Sequence, residues 1–270
     1  MLDTVRTIGE LQQAITDNYS LVQHYLTQVT VEEDLCNYLR WLSDNEVTTE
    51  VVSHLKRNKV RAPGIHPSSA SKKGVCLLKL FFECTNKVKP GVDAYSQKSQ
   101  TTWDVGTMLH DLHQKWFSDM YGDQFKFEVP LKSKDGYIKS SADGLFDFAH
   151  YRFILEMKSI KEGGNYGWEK VQAKPQEDHV RQSHFYMKLA DVPFALIFYM
   201  NKNAGEFKEH AIMFNQALWD EMEREVVTPV IDAAYKKGPA VAANPGWHCK
   251  WCLYQHGCPE KGGKDDHVEW

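Results

Sequence analysis

The chain has 270 residues, of which 42% are hydrophobic, 12% aromatic and 25% charged. That apolar share supplies a sizeable core and excludes a disordered chain, and no apolar run approaches the roughly 18 residues that cross a bilayer. The formal net charge of −4 is an average over two opposed blocks: residues 1–50 hold two basic and nine acidic residues (−7), and residues 51–90 hold nine basic residues against Glu83 alone (+8). A basic block of this kind attracts phosphate locally whatever the total charge. The opening Met-Leu-Asp-Thr has no basic region or apolar stretch of an export signal, so the expected location is intracellular, in the cytoplasm, without a membrane partner.

In chain order, Ile8, Leu11, Ile15, Leu21, Val22, Tyr25 and Leu26 recur at helical spacing. Leu35, Tyr38, Leu39 and Leu42 repeat the pattern, and Val51, Val52 and Leu55 start it a third time. Residues 1–60 therefore read as a helical accessory region, whose acidic outer faces offer a surface for a protein partner. Pro, Gly and Ser mark an irregular linker from Arg61 to Ser71, and Cys76 to Phe82 resumes a helical run that Pro90-Gly91 ends. An amphipathic helix is expected over Thr102–Tyr121. Alternation then predicts strands at Phe125–Val129, at Tyr137 and Lys139, at Leu145–Phe148 and at Phe153–Met157. Gly163, Gly164 and Gly167 indicate a mobile loop. A helix over Gln176–Ala190, a strand over Phe194–Met200, its hairpin partner over Glu206–Met213 and a long helix over Gln216–Lys236 complete the chain. The order is that of an α/β fold with one mixed sheet flanked by helices.

Six cysteines occur, at positions 36, 76, 84, 249, 252 and 258. Inside a cell disulfides are disfavoured. Cys249, Cys252 and Cys258 form C-x2-C-x5-C followed by Pro259, three corners of a metal or iron–sulfur site. The fourth corner must come from elsewhere, or from His248 or His256 in a mixed zinc site.

Four polar features lie on the central α-βββ-αβ segment. These are His110 in the first helix, Asp143 at the opening of a strand, Glu156 and Lys158 two apart on the next strand, and Gln182 and Tyr186 four apart on the second helix. Residues two apart on a strand project to one side, and residues four apart on a helix share a face. A charged pair among Phe153, Ile154, Leu155 and Ile160 is costly to bury without a compensating ion. Two carboxylates brought together by a hairpin, with a histidine above, make a hard-ligand site for Mg²⁺ or Mn²⁺. Asp147 competes with Asp143 for this role, and Glu206-Phe-Lys208 is a second Glu-x-Lys without a paired acidic strand residue. G-x-x-x-x-G-K is absent, so no NTP-driven motor is indicated.

The residues Gly106-x3-His110, Ala142-Asp143, Glu156-x-Lys158 and Gln182-x3-Tyr186 resemble the motifs of RecB-like PD-(D/E)XK nucleases. Cys76, with the terminal C-x2-C-x5-C, resembles the iron–sulfur subset, which includes CRISPR-associated RecB-like exonucleases and AddB-type nuclease domains of bacteria and phages. The resemblance spans about residues 70–260. It implies a restriction-endonuclease-like core in a nuclease domain over 61–270, and a metal-dependent deoxyribonuclease, exonucleolytic or end-processing, acting on DNA ends or single strands. The alternative is a non-catalytic DNA- or protein-binding module that keeps the fold and a structural metal. By the same resemblance His110, Asp143 and Glu156 bind Mg²⁺ or Mn²⁺, joined by the Met157 backbone carbonyl. Lys158 assists hydrolysis, and Gln182 and Tyr186 support the catalytic site. Cys76 joins Cys249, Cys252 and Cys258 on a [4Fe–4S] cluster, with Cys84 the other choice for the fourth ligand and Zn²⁺ the other metal. Lys56, Arg57, Lys59, Arg61, Lys72 and Lys73 are the candidate DNA contacts.

Overall fold

The computed structural model describes residues 61–90, 97–149, 151–164 and 166–261. The helices expected before residue 60, Cys36, and the basic residues Lys56, Arg57 and Lys59 lie outside the described residues.

Five strands form one mixed sheet in the order β1-β2-β3-β4-β5: β1 (Phe125–Lys132), β2 (Lys139–Phe148), β3 (Tyr151–Ile160), β4 (Phe194–Asn201) and β5 (Phe207–Met213). Only β3 and β4 are parallel, and the crossover between them carries α4 (Trp168–Ala173) and α5 (Glu177–Ala190). The earlier helices are α1 (Pro67–Ala70), α2 (Leu77–Thr85) and α3 (Gln97–Tyr121); α6 (Gln216–Met222) and α7 (Thr228–Tyr235) follow the sheet. None of the described helices is long and apolar enough to cross a membrane.

The pleat of β3 sorts its side chains between two layers. Phe153, Leu155 and Met157 join Phe117 of α3, Phe125, Phe146 and Phe198 in an aromatic-rich core. Ile154 faces the other way, against Tyr186 and Met187 of α5. Glu156 and Lys158 share that second face by alternation. All of β4 is buried, as expected of a strand covered on both sides.

Several sequence expectations are revised. The strand fragments at 137–139 and 145–148 are one ten-residue strand, β2, so Asp143 sits within a strand instead of opening one. Ser140 and Ser141 hid its continuity: they lie beyond the point where β2 and β3 stop pairing, though β2 stays paired with β1 there. The 61–71 segment is irregular but anchored: Ile65 is fully buried and bridges Ile138. The expected long C-terminal helix is interrupted by a π-helical turn at Glu223–Val227, just before Pro229, which lacks an amide proton for the regular ladder. The Gly163–Gly167 loop is pinned. Glu162 N donates to Asn203 Oδ1 (3.0 Å), Gly163 N to the Glu169 carboxylate (3.2 Å) and Trp168 N to Lys161 O (3.0 Å).

At Gly144, next to Asp143, an added Cβ would lie 2.4 Å from Phe125 Cε2 and 3.2 Å from Leu155 Cβ. Gly144→Ala is therefore expected to overpack this junction and cost about 1–3 kcal/mol, read as a lower denaturation midpoint in urea. An unchanged midpoint would show that Phe125 moves aside freely.

Candidate active site and cysteine site

The pairing of β2 with β3 stops at Gly144↔Leu155, whereas β3 stays paired with β4 through Ile160↔Asn201. Beyond Leu155 the sheet therefore opens between β2 and β3. Asp143 spans the opening: its Oδ2 accepts a hydrogen bond from Met157 N at 2.7 Å. From the opposite layer, His110 of α3 brings Nδ1 to 3.8 Å from Asp143 Oδ1. Gly106 of α3 lies against β3, where a Cβ would make an ordinary contact 3.6 Å from Ser159 Oγ.

Glu156 is fully buried and ion-paired with Lys158, whose side chain is 23% exposed. One carboxylate oxygen, Oε2, has no hydrogen-bond partner. Burial raises the Glu156 carboxyl well above the ordinary carboxylate range; Lys158 draws it back and Asp143 pushes it further up. For Lys158 burial favours the neutral amine, but Glu156 and then Asp143 outweigh it and the ammonium is stabilised. Two carboxylates share one desolvated site with a single lysine. Such a site lacks positive charge.

The same face of α5 closes the opening. Gln182 Nε2 donates to Tyr186 Oη at 2.6 Å, and both residues are buried. Burial raises the Tyr186 hydroxyl's pKa, and the charges of Glu156 and Asp143 raise it further. Asp147, the competitor of Asp143, lies at the far end of the β2–β3 hairpin with its Oδ2 3.4 Å from Arg152 Nε. Glu206, just before β5, accepts from Asn201 Nδ2 at 3.3 Å, an amide it shares with Glu162, which accepts at 3.0 Å just after β3.

Four polar residues at the site had no motif to reveal them. Gln114, one turn beyond His110, donates from Nε2 to Glu128 Oε1 (3.1 Å) and to Asp143 O (3.2 Å). Glu128 of β1 has a left-handed φ of 48°, between the in-register pairs Phe127↔Gly144 and Val129↔Ala142, and also accepts from Ser141 Oγ at 2.9 Å. His179 and Tyr199 form a pair beside Lys158, since Tyr199 is its register partner on β4. The helical spacings 110/114 and 179/182/186 were the available signals.

Of the basic candidates, Lys72 Nζ lies 3.1 Å from Asp178 and Lys73 Nζ 3.2 Å from Glu177, against the first turn of α5. Arg61 donates to Ser68 Oγ at 3.1 Å. The lysine side chains stay 56% and 75% exposed.

The chain's later segment returns to α2. Tyr254 packs on Phe82, and Gly257 on Val88, where a Cβ would lie 2.7 Å from both methyl carbons. This docking places Cys76, Cys249, Cys252 and Cys258 around one small cavity. Asn244 N donates to Cys76 Sγ (3.4 Å) and Gly246 N to Cys249 Sγ (3.3 Å). Burial raises the Cys252 thiol's pKa, and Cys76 and Cys249 raise it further. Cys84 belongs to a different environment: its thiol is buried in the core between α2 and α7, and burial pushes its pKa up to about 12.

Among the described residues, no three His, Cys, Asp or Glu side chains are already close enough together to hold a metal ion. The donor sets nevertheless fit cations chemically. Glu156 Oε2 is an orphaned buried oxygen beside a second carboxylate, and the four cysteines line one cavity, with backbone N–H groups directed at two of the sulfurs.

No protein-family model and no curated protein matches the sequence. Similar solved structures include an alkaline exonuclease from Laribacter hongkongensis, also solved in complex with dAMP, at 14–15% identity and a TM-score of 0.47. It covers 64% of this chain and 89% of its own. A phage-related exonuclease from Haemophilus somnus is similar at 13% identity and a TM-score of 0.43, over 66% of this chain and 95% of its own. The protein SSO0001 is similar at 17% identity and a TM-score of 0.45, over 77% of this chain and 92% of its own.

Proposed function

We propose that the protein is a metal-dependent DNA nuclease that hydrolyses phosphodiester bonds at DNA ends or in single strands. The observation that carries the reading is the buried Glu156 with its unpartnered Oε2, set beside Lys158 where the sheet opens onto Asp143 and His110. His110, Asp143, Glu156 and the Met157 carbonyl are the groups that would hold Mg²⁺ or Mn²⁺, which supplies polarisation of water and phosphate when bound. Asp143 is fixed for that role by the Met157 amide. Lys158, ion-paired with Glu156, is the group whose ammonium would offset charge developing on the scissile phosphate. The Gln182–Tyr186 pair braces the wall opposite α3. Lys72, Lys73 and Arg61, with Lys56, Arg57 and Lys59, are read as phosphate contacts, the exposed pairs exchanging a carboxylate for phosphate.

Cys76, Cys249, Cys252 and Cys258 are read as ligands of a structural [4Fe–4S] cluster that staples residues on either side of the sheet-forming segment, with Zn²⁺ the other metal the set accepts. The acidic residues 1–50 are read as a surface for a protein partner, separate from the nuclease domain over 61–270.

The deciding experiment is incubation of the full chain with end-labelled single- and double-stranded DNA. Cleavage with Mg²⁺ or Mn²⁺ that stops on adding EDTA is expected. DNA that is bound but left intact under every metal would replace this reading with that of a non-catalytic binding module.

A further inference from the structure

His179 is on the α5 face that carries Gln182 and Tyr186, and no motif includes it. Its Nδ1 lies 2.8 Å from Tyr199 Oη. The same hydroxyl oxygen accepts a hydrogen bond from Gln176 N at 3.1 Å. Tyr199 is fully buried, so its own hydroxyl hydrogen needs an acceptor, and His179 Nδ1 is the one within reach. An imidazole whose Nδ1 accepts carries its hydrogen on Nε2. No hydrogen bond from Nε2 to another described residue is found, and His179 is only partly buried, which leaves this hydrogen available to a ligand or to solvent.

The position of this donor gives it a use. Tyr199 is paired with Lys158 across the parallel β3–β4 ladder, so their side chains leave the same side of the sheet. His179 feels the Lys158 charge: its pKa is pulled down to about 3, first by burial, then by Lys158 and Lys72. A neutral imidazole is thus held ready beside a lysine, its tautomer set by a buried tyrosine that a backbone amide in turn orients.

Resting on the nuclease reading, we propose that His179 is a further substrate-contacting residue, donating its Nε2 hydrogen to a phosphate oxygen of the DNA strand held beside Lys158. A neutral donor is suited to this place, because it binds an anionic oxygen without competing with Lys158 for the two carboxylates. The substrate feature it reads is the phosphodiester backbone, without regard to base.

Two measurements on the full chain test this. ¹⁵N spectra of histidine-labelled protein are expected to show His179 as the Nε2–H tautomer, lost in Tyr199→Phe, and its Nε2 resonance should move when a short single-stranded oligonucleotide is added with Ca²⁺. In cleavage assays His179→Ala should lower kcat/KM by about ten- to hundredfold, the loss of one hydrogen bond to a charged group. His179→Gln, whose Nε2 carries hydrogens at similar reach, should recover most of it. A role in packing alone would leave Ala and Gln variants equally impaired. The proposal is overturned by an Nδ1–H tautomer, by an unmoved resonance on oligonucleotide addition, or by a fully active Ala variant. Wild-type protein that never cleaves DNA yet shifts the His179 resonance would sink the nuclease reading and leave the phosphate contact standing.

Discussion

Glu156→Ala and Lys158→Ala are each expected to abolish DNA cleavage while leaving DNA binding nearly unchanged. Glu156 holds the orphaned oxygen of the site, and its removal deprives a cation of a fully buried carboxylate ligand. Lys158 is ion-paired with Glu156 and feels the Asp143 charge, and its removal takes away an ammonium able to offset charge on the attacked phosphate. Losing such preorganised electrostatic groups lowers turnover by at least about two to three orders of magnitude. Binding should survive because non-specific affinity comes mainly from phosphate neutralisation by exposed basic residues. Glu156→Gln keeps the shape of the buried group and guards against misreading a folding defect as a catalytic one. Glu206→Ala and Lys208→Ala are the control. Should the 206/208 pair be essential and the 156/158 pair dispensable, in single-turnover assays of correctly folded protein, the site has been assigned to the wrong strand.

Cys249→Ala or Cys258→Ala is expected to destabilise the protein by several kcal/mol, on the order of the contribution of a structural metal, and to bleach a broad visible absorption. The segment bearing these residues has little regular structure: it consists of 3₁₀ turns at Trp247–Trp251, Gln255–Gly257 and Pro259–Lys261. Its apolar anchorage on α2 is a small cluster around Phe82, Val88 and Tyr254. A metal held by the four thiolates would supply what that cluster lacks, and would offset the effect of Cys76 and Cys249 on Cys252. Cys84→Ala should leave the absorption intact, since that thiol lies in a separate core. Anaerobically purified wild-type protein that is colourless and contains zinc would remove the iron–sulfur assignment and keep a structural metal.

Local pattern carried much of the architecture. The period of two in Phe153–Met157 and the spacing of four between Gln182 and Tyr186 are properties of one strand and one helix, so they could be read without knowing any partner. The same holds for C-x2-C-x5-C, whose three members are near one another in any conformation. Residue order also announced a mixed sheet flanked by helices, because the strands are interrupted by a helical segment.

What the sequence left open depended on contacts between distant segments. Whether Asp143 or Asp147 faces Glu156 was decided by the point at which β2 and β3 part, which no single-strand pattern encodes. Polar Ser140 and Ser141 looked like a break in the chain's regularity, yet they continue a strand that borders an opening. Glu128 and Gln114 are ordinary polar residues until the pairing of β1 with β2 and the packing of α3 on the sheet bring both toward Asp143. His179 shares a helix face with Gln182 and Tyr186, but only the register of Tyr199 against Lys158 shows what it lies beside. Cys76 and Cys249 are separated by the whole sheet in sequence and share a cavity because Tyr254 and Gly257 dock on α2. By itself the sequence determined which residues share an element's face, since that follows from the periods of strand and helix. Which faces meet was decided by the tertiary structure alone, because it is set by packing and strand pairing among segments far apart in the chain.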